Sequence, residues 1–429
     1  MSALKEKLAS QIDSLREDAK AIITACGDEK LSEVKVAQAF GGMRGVTSLI
    51  CDTSEVSPET GLLIRGIPIL ELTNRLPEEI FWLLLTGETP DEGQMRSLHE
   101  DFISRSEVPD YVYNMLATFP LDSHPMAMLN AALLSLERES VFRKRYFEGM
   151  SKDEYWEAAL EDGLNLIAKI PAIAAAVYRI RYEKGGLIPS QAKLGWGANF
   201  ARMLGIDAPE EEFAKFMNLY LTLHSDHEGG NVSAFSCATV GSALSDPYYA
   251  VSAGLNGLAG PLHGLANQGC LRFVQGINER YHGVPTDEQL VEYAWETLNS
   301  GKVIPGYGHA VLRCPDPRFI AFHQFADKHF KDDPLMLIVD KIYRLIPDVL
   351  REQGKAKNPF PNVDAISGSL LYQYGISEFR YYTVMFAVSR ALGLVAQLVL
   401  NRAVGMPITR PKSVTSAFIK SKFSPAVKV

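Results

Sequence analysis

Amphipathic helical periodicity is the feature of this sequence that most restricts its fold. Apolar residues recur every three or four positions over long segments, which is the period of an α-helix with one buried face. The segments are 210–227, 246–258, 287–298, 334–350 and 381–404. Strand patterns are few, and the clearest lies where 49–51 and 62–64 flank the turn-forming residues 57–59. The sequence therefore predicts a mainly α fold with one small β-hairpin.

Length and composition are those of a soluble globular enzyme. The chain has 429 residues, more than one hydrophobic core usually serves, so we expect about two or three domains. Its apolar content of 47% and charged content of 22% are ordinary for such proteins. The longest apolar stretch, 381–404, contains Arg390 and Arg402, whose charges would be costly in lipid. We interpret it as a buried helix of a soluble core.

Charge and cysteine content exclude some classes of function. A formal net charge of −8 makes the whole molecule repel polyanions, which argues against nucleic acid as the main partner. The cysteines are odd in number and form no CxxC pair, which predicts free thiols in a reducing compartment. They are Cys26, Cys51, Cys237, Cys270 and Cys314. Residues 1–7 lack both the apolar core of a secretory signal and the arginine-rich composition of a transit peptide.

Three glycine- and proline-rich segments each end on, or contain, a titratable side chain. They are Gly-Pro-Leu-His-Gly at 260–264, Pro-Gly-Tyr-Gly-His at 305–309 and Pro-Asn-Val-Asp at 361–364. Glycine and proline fix the backbone where a side chain must be aimed or a ligand must come close. His263, His309 and Asp364 are therefore candidates for proton transfer.

A fourth segment, His-Ser-Asp-His-Glu-Gly-Gly-Asn at 224–231, ends a predicted helix with two histidines three residues apart. The spacing permits zinc ligation, yet the order matches neither of the HExxH and HxxEH signatures, and no third ligand is evident. For His224 we favour a structural role, donating to carbonyls at the helix end. For His227, carboxylate binding and a structural role remain equally open.

Pro261 is suited to the first turn of a helix that runs from His263 toward Arg272. Unpaired backbone donors near the imidazole would lower its pKa, and a neutral imidazole can donate a hydrogen bond to a developing enolate. We favour this catalytic interpretation over simple packing. The glycines at 254, 257 and 260 form a smooth stripe on the preceding helix, which indicates close packing more than ligand binding.

The loop around His309 can expose backbone amides to a ligand, although it lacks the full GxGxxG pattern of a dinucleotide site. Arg318, in the following Asp-Pro-Arg segment, offers a planar guanidinium for carboxylate recognition. Asp364 is the only carboxylate in the segment 361–368. Local sequence leaves it equally open whether this residue is a general base or a helix N-cap.

Taken together, these segments resemble citrate synthase of the form found in mitochondria and some bacteria, from about residue 40 to 412. The motifs that carry the resemblance are FGGMRG at 40–45, HSDHEGGNVSA at 224–234, GLAGPLHGLANQ at 257–268, IPGYGHAVLR at 304–313, KAKNPFPNVDA at 355–365 and VSRALG at 388–393. As a set they are far more specific than any one alone.

The resemblance implies an all-helical homodimer and an acyltransferase of the tricarboxylic acid cycle. Residues 1–264 and 380–429 would form a large domain, and 265–379 a small domain that closes over the substrates. Oxaloacetate would bind first. Its ligands would be His227, His309, Arg318, Arg390 and, across the dimer, Arg410. A buried dianion requires several fixed cations, which bidentate arginines supply.

Acetyl-CoA would then be the cosubstrate, with no metal and no permanently bound cofactor. Asp364 would remove a methyl proton while neutral His263 donates to the thioester oxygen, and His309 would polarise the ketone. Water would hydrolyse the resulting citryl-CoA. The implied CoA contacts are Arg44, Lys152, Val303, Ile304, Pro305, Gly306, Tyr307, Gly308, Arg313, Lys357 and Asn362. Lys152 stands where animal forms carry an arginine, which keeps the charge and loses the planar fork.

Three other functions compete with this interpretation. The nearest is 2-methylcitrate synthase, which shares the fold and the catalytic set but accepts propionyl-CoA. A metal-dependent hydrolase built on His224 and His227 is a second class, and a non-catalytic helical scaffold is a third. The expected location is the mitochondrial matrix after removal of a presequence, and the bacterial cytoplasm is the alternative.

Overall fold

The computed structural model describes residues 2–309 and 311–423, and helices form nearly all of the regular structure in them. The α-helices are α1 (Ala3–Ala9), α2 (Ile12–Cys26), α3 (Val36–Phe40), α4 (Pro77–Thr86), α5 (Glu92–Arg105), α6 (Asp110–Ala117), α7 (Pro125–Ser135), α8 (Val141–Phe147), α9 (Tyr155–Arg181), α10 (Trp196–Leu204), α11 (Glu210–Leu223), α12 (Val232–Ser242), α13 (Pro247–Leu258), α14 (Ala266–Tyr281), α15 (Asp287–Asn299), α16 (Pro317–His329), α17 (Pro334–Gln353), α18 (Asp364–Gln373), α19 (Tyr382–Ala403) and α20 (Ser416–Phe423). Short 3-10 helices occupy Ile69–Leu72, Leu136–Glu139, Lys152–Glu154 and Phe379–Tyr381. The mainly α fold is confirmed. Ala310 of the 304–313 motif and residues 424–429 lie outside the described ranges.

Helical periodicity located four of the five predicted segments to within three residues, as α13, α15, α17 and α19. The fifth prediction, 210–227, is wrong at its C-terminal end because α11 stops at Leu223. Side chains that follow the helix bind its last carbonyls. His224 Nδ1 donates to Tyr220 O at 2.9 Å, and Ser225 Oγ donates to Thr222 O at 2.9 Å. These bonds replace the backbone donors of a further helical turn.

The β-structure is a three-stranded antiparallel sheet of β1 (Ser54–Ser57), β2 (Gly61–Ile64) and β3 (Ile67–Pro68), in that order. The predicted hairpin is confirmed as β1 and β2, with its second strand as expected, but its first strand is 54–57 and not 49–51, and β3 adds a third strand. Leu49 and Ile50 are exposed, whereas Ser54 and Val56 of β1 are buried. Residues 54–57 pair with β2 because Ser54 and Val56 have buried side chains, and the Ser54 hydroxyl donates to Asp226.

The core is centred on α9 and α19, which pack against each other and are buried over most of their length. Two stretches are long and apolar enough to cross a membrane by length and composition, Lys152–Arg181 and Phe379–Ala403. Of their most apolar windows, 78% and 83% are buried inside the protein. The interpretation of 381–404 as a buried core helix is therefore confirmed.

Helices α12 and α13 pack closely, and the glycine stripe permits this contact. A Cβ atom on Gly254 would lie 2.7 Å from Ser233 O, which is too close for any side chain. The stripe therefore serves packing, as the sequence favoured. Helix α12 is thereby held with its first turn beside the 260–264 turn, which contains His263. All five cysteines are free thiols, as predicted.

Helices α14 to α18 pack on one another and carry the remaining site segments between them. The loop 303–309 joins α15 to the segment before α16, and the loop 354–363 leads from α17 into α18. Gly308 N donates to Phe360 O at 3.2 Å, and Asn362 N donates to Gly306 O at 2.8 Å. These bonds place the loop that ends on His309 directly beside the loop that ends on Asp364.

Candidate active site

His224 is a buried structural residue. In addition to its bond to the Tyr220 carbonyl, its ring stacks on Tyr220 with the ring centroids 4.4 Å apart. Burial, followed by the charge of Arg318, lowers its pKa to about 3, so the ring is neutral at neutral pH. The structural role that the sequence favoured for His224 is confirmed. Across residues 2–309 and 311–423, no group of three or more His, Cys, Asp or Glu side chains is arranged to hold a metal ion.

The rings of His227 and His309 lie beside each other, with their centroids 5.7 Å apart. Burial, followed by the charge of Arg318, lowers the pKa of both, so both imidazoles are neutral at neutral pH. His309 Nδ1 accepts the backbone N–H groups of Val311 and Leu312 at 3.1 and 3.0 Å. A neutral ring that accepts at Nδ1 carries its proton on Nε2. His309 therefore has an N–H donor to offer a ligand.

A buried ion pair joins Arg318 to Asp316 at the start of α16. Asp316 Oδ2 accepts from Arg318 Nη2 at 2.7 Å, and Oδ1 accepts from Nε at 3.0 Å. Burial acts to raise the pKa of Asp316, but attraction and hydrogen bonds from Arg318 outweigh it, and the net pKa lies below its ordinary value. Asp316 Oδ2 also accepts Val363 N at 3.2 Å, which ties the arginine to the residue before Asp364.

Arg390 is a second buried arginine, supplied by α19. Its Nε donates to His224 O at 3.1 Å, and Nη1 lies 3.4 Å from both Asn231 Oδ1 and Ser233 Oγ. The guanidinium carbon sits 4.9 Å from the centroid of the Phe386 ring. Burial lowers the pKa of Arg390 to about 10, so it remains a cation at neutral pH.

His263 lies in a turn before α14, and the prediction that a helix runs from His263 to Arg272 with Pro261 in its first turn is wrong. His263 N donates to Gly260 O at 2.9 Å, which closes this turn, and α14 begins only at Ala266. The helical donor near the imidazole belongs to α12 instead. Ser233 N donates to His263 Nε2 at 3.3 Å, and Ser233 Oγ lies 3.0 Å from the same atom.

The pKa of His263 is lowered to about 4, in the predicted direction but by another cause. Burial has the largest effect, and the charge of Arg390 adds to it, whereas the sequence had attributed the shift to the histidine's own helix. Because Nε2 accepts from a backbone N–H, the neutral ring carries its proton on Nδ1. His263 therefore also presents an N–H donor.

Asp364 is the first residue of α18, and its side chain does not cap the helix. The side chain of Asn362 takes that role, since its Oδ1 accepts Asp364 N at 3.0 Å. Burial raises the pKa of Asp364 to about 6; the charge of Arg318 opposes this shift and that of Asp316 adds to it. A carboxylate with this pKa is a better base than an ordinary aspartate at neutral pH.

The loop 303–309 is shaped by glycines and held by Asn362. Gly306 has φ +76°, and a Cβ atom there would lie 2.8 Å from Ala365 Cα. Asn362 Nδ2 donates to Gly308 O at 3.2 Å, so this side chain holds the loop in place. Val303 is 76% exposed, whereas Ile304 is buried. The side chain of Ile304 therefore belongs to the core, and only its backbone can contact a ligand.

Several predicted site residues lie apart from this cluster in the isolated chain. Arg44, Lys152, Lys357 and Arg410 are exposed, and across residues 2–309 and 311–423 none forms a side-chain hydrogen bond or ion pair with another predicted site residue. The Arg313 guanidinium bonds the carbonyl groups of its own loop at 311 and 312. These residues remain predictions that rest on the resemblance.

The cluster is continuous through shared neighbours. Arg318 pairs with Asp316, and its charge acts to lower the pKa values of Asp364, His227 and His309. Ser233 contacts both Arg390 and His263. Sequence reasoning missed Asp226, Asn231, Ser233 and Asp316 as members. A signal for Asp316 was present, because an aspartate before Pro-Arg is a good helix N-cap and stands two residues from the arginine it binds.

Comparison with known proteins gives a consistent result. The family model described as citrate synthase, C-terminal domain, matches residues 42–412. Citrate synthase 4, mitochondrial, of Arabidopsis thaliana is 48% identical over 428 residues, covering 97% of this chain and 90% of that protein.

Solved structures agree in fold. The citrate synthase of Pyrobaculum aerophilum aligns with a TM-score of 0.79 at 28% identity, over 90% of this chain and 95% of that chain. The citrate synthase of Thermoplasma acidophilum, solved as a ternary complex with carboxymethyl coenzyme A and oxaloacetate, aligns with a TM-score of 0.74 at 25% identity. That alignment covers 90% of this chain and 96% of that chain.

Proposed function

The chain belongs to the citrate synthase family and condenses acetyl-CoA with oxaloacetate and water to citrate and CoA, and we propose that His263, His309 and Asp364 perform the chemistry. One observation carries this assignment. Backbone amides hold two neutral imidazoles in the tautomers that leave an N–H donor, and the loop of one of them, His309, is hydrogen-bonded to the loop that ends on Asp364, whose pKa is raised to about 6. The family and its relatives do not favour 2-methylcitrate synthase, a metal hydrolase or a scaffold.

Oxaloacetate binds first, among His227, His309, Arg318 and Arg390. The two buried guanidinium groups supply the positive charge that a buried dicarboxylate requires. Asp316 fixes the plane of Arg318, which orients its remaining N–H groups. His309 donates from Nε2 to the ketone oxygen, so the carbonyl carbon becomes more electrophilic.

Acetyl-CoA is activated by Asp364 and His263 together. Asp364 takes a proton from the methyl carbon, and His263 Nδ1–H donates to the thioester oxygen, where negative charge develops. The methylene carbon then forms a bond to the ketone carbon, and the ketone oxygen receives a proton from His309. Water attacks the thioester carbon of citryl-CoA, the C–S bond breaks, and CoA leaves as the thiol. Hydrolysis makes the sequence run forward.

CoA lies along the loop 303–308, with its phosphates near Arg44, Arg313 and Lys357. Support comes from the backbone bonds that seat this loop against Asn362, next to Asp364. The small domain, 265–379, closes over the large domain, 1–264 and 380–429, and thereby excludes water from the enolate. No resident metal or cofactor is required by this chemistry.

The active form is a homodimer in which Arg410 reaches the partner's oxaloacetate site. Arg410 lies in an exposed segment that is anchored where Thr409 N donates to Ser242 Oγ at 2.9 Å. Large apolar side chains are exposed on α3, α12 and α13 and in the C-terminal segment, and their exposure supports burial by a second chain. They include Phe40, Val232, Phe235, Tyr249, Ile408 and Phe418. Lys152 contacts CoA across the same interface.

The location that fits is the mitochondrial matrix, since the Arabidopsis relative is named as mitochondrial. A bacterial cytoplasm is the alternative. Release of the CoA thiol tests the function directly when acetyl-CoA and propionyl-CoA are compared in parallel with oxaloacetate. We expect rapid thiol release with acetyl-CoA and much slower release with propionyl-CoA. Equal rates would reopen the 2-methylcitrate assignment, and no release would refute the enzyme.

A further inference from the structure

Asp226 is a fully buried carboxylate for which the proposed mechanism has no use. Its Oδ2 accepts from Thr53 Oγ1 at 2.5 Å and from Ser54 Oγ at 2.9 Å, and its Oδ1 accepts from Gln397 Nε2 at 2.8 Å. The carboxylate is therefore held by residues at the start of β1 and by α19. A buried charge with this many directed partners fixes the backbone on which it sits.

The residue that follows, His227, lies between two such anchor points. On its far side, Glu228 N donates to Ser54 Oγ at 2.8 Å, and Glu228 Oε1 accepts Val56 N at 3.0 Å. Glu228 has φ +60°, a left-handed backbone conformation that residues other than glycine rarely adopt. The bonds of Asp226 and Glu228 to β1 hold this strained turn and so set the direction of the His227 ring.

The Asp226 segment also contacts α19, which carries Arg390 one turn before Gly393. Gly393 N donates to Ser225 O at 3.1 Å, so the helix lies directly against the Asp226 segment. The hydrogen bonds of Arg390 go to the His224 carbonyl and toward Asn231 and Ser233, not to Asp226. The Asp226 carboxyl thus leaves the N–H groups of the buried guanidinium unoccupied.

We propose that Asp226 is a positioning residue for oxaloacetate, which holds His227 in its binding orientation. The inference rests on the proposed function, because it takes His227 and Arg390 as oxaloacetate ligands. Asp316 and Asp226 then serve the two arginines differently. Asp316 orients Arg318 by direct pairing, whereas Asp226 makes no hydrogen bond to Arg390 and leaves it open to the substrate.

The test is Asp226→Asn, which keeps the shape and replaces one acceptor oxygen of the carboxylate with an amide donor. We expect oxaloacetate binding, measured by calorimetry, to weaken about tenfold, as is typical when a hydrogen bond to a charged group is lost. The KM for acetyl-CoA should stay unchanged, because no CoA contact involves this segment. Unchanged oxaloacetate binding in a folded variant overturns the proposal, as does an equal loss of affinity for both substrates.

Asp162→Asn is the matched control. Asp162 is also fully buried and accepts from Ser140 Oγ, Val141 N and Phe142 N, but these bonds lie at the start of α8, away from the site. The Asp162→Asn variant should change the free energy of unfolding while leaving oxaloacetate affinity unchanged. If it weakens oxaloacetate binding as much as Asp226→Asn does, the effect is a general loss of stability and the proposal fails.

Thr53→Val keeps the proposal testable if Asp226→Asn does not fold. It removes one donor to the carboxylate and retains a side chain of the same shape, so we expect oxaloacetate binding to weaken about threefold, a smaller loss than replacement of the carboxylate itself. A folded Thr53→Val variant with wild-type affinity counts against the proposal.

A double-mutant cycle separates failure of this inference from failure of the proposed function. In a His227→Ala background, Asp226→Asn should have a clearly smaller effect on oxaloacetate binding, because the ring that it positions is gone. If the full effect persists, Asp226 does not act through His227. If His227→Ala alone leaves oxaloacetate binding unchanged, the ligand assignment in the proposed function is wrong instead.

Discussion

Replacing Asp364 with asparagine is expected to stabilise the protein and to remove its turnover. Burial raises the pKa of this carboxyl to about 6, against an ordinary value of 3.8 in the unfolded chain. Above pH 6 the group is charged in both states, so the folded state bears the full cost of burying the charge. Below about pH 4 it is protonated in both states and the cost disappears. Asparagine is neutral at every pH and avoids that cost.

The magnitude follows from the size of the shift. About two pKa units correspond to about 3 kcal/mol. Asp364 is partly exposed, so solvent screens part of this penalty, and we expect a gain of about 1–3 kcal/mol at neutral pH. For a chain of this length the entropy of unfolding is about 0.9 kcal/mol/K, so the melting temperature should rise by about 1–3 °C. Loss of the general base should lower kcat by about 10²- to 10⁴-fold.

The assay pairs thermal unfolding with thiol release. The melting temperatures of the wild type and Asp364→Asn should differ at about pH 8 and converge toward about pH 4, where the wild-type carboxyl is protonated. Oxaloacetate binding should be nearly unchanged in the variant. Near-normal turnover would refute the role as base, and a lower melting temperature at about pH 8 would refute the account of its pKa.

Asp246→Asn is the control for a generic effect of removing a buried carboxylate. Asp246 caps α13, where Oδ1 accepts Tyr248 N at 2.9 Å and Tyr249 N at 3.1 Å. Asparagine preserves such a cap, and burial raises the pKa of Asp246 as well, so stability should not fall and turnover should stay at the wild-type level. A comparable loss of turnover in this variant would show that the Asp364 result is not specific.

Three further outcomes are expected. The kcat/KM for acetyl-CoA should fall as pH drops through about 6, because Asp364 becomes protonated. His263, with a pKa of about 4, stays neutral over this range. A pH profile that is flat to about pH 5 would contradict this. Arg410→Ala should raise the KM for oxaloacetate, and mixing it with Asp364→Asn should restore thiol release through hybrid dimers; mixtures with no activity would argue against a shared site. Gly306→Ala should raise the KM for acetyl-CoA, since φ of Gly306 is +76° and the new Cβ would meet the Ala365 backbone. Steady-state kinetics that match the wild type would contradict the assigned role of this loop.

Most helices were predictable from sequence because one buried face imposes a local period on the residues. The elements that were mispredicted depend on partners far away in the chain. Strand β1 begins at Ser54 rather than near Leu49 because the Ser54 hydroxyl binds Asp226. Helix α11 ends early because His224 and Ser225 bind its last carbonyls, while Ser225 O accepts Gly393 N from the distant helix α19. No local pattern encodes a contact between residues so distant in sequence.

The site shows the same division between local and distant causes. The glycine and proline frames identified His263, His309 and Asp364 as unusual before any fold was known. The tautomer of His263 was not predictable, because it is set by Ser233 N on another helix. The raised pKa of Asp364 likewise depends on burial, which the sequence near an N-terminal helix residue does not reveal.

Burial shifts the pKa of the aspartate and the pKa values of the two histidines in opposite directions, and the proposed mechanism uses both shifts. Removing the site from water disfavours every charge in it, so the pKa of Asp364 rises while those of His263 and His309 fall. The first shift makes a stronger base, and the second keeps two imidazoles as neutral donors. A more hydrated cleft would weaken the base and protonate the donors over the same pH range. Substitutions that admit water should therefore impair both functions together, whereas substitutions of a single group should impair one.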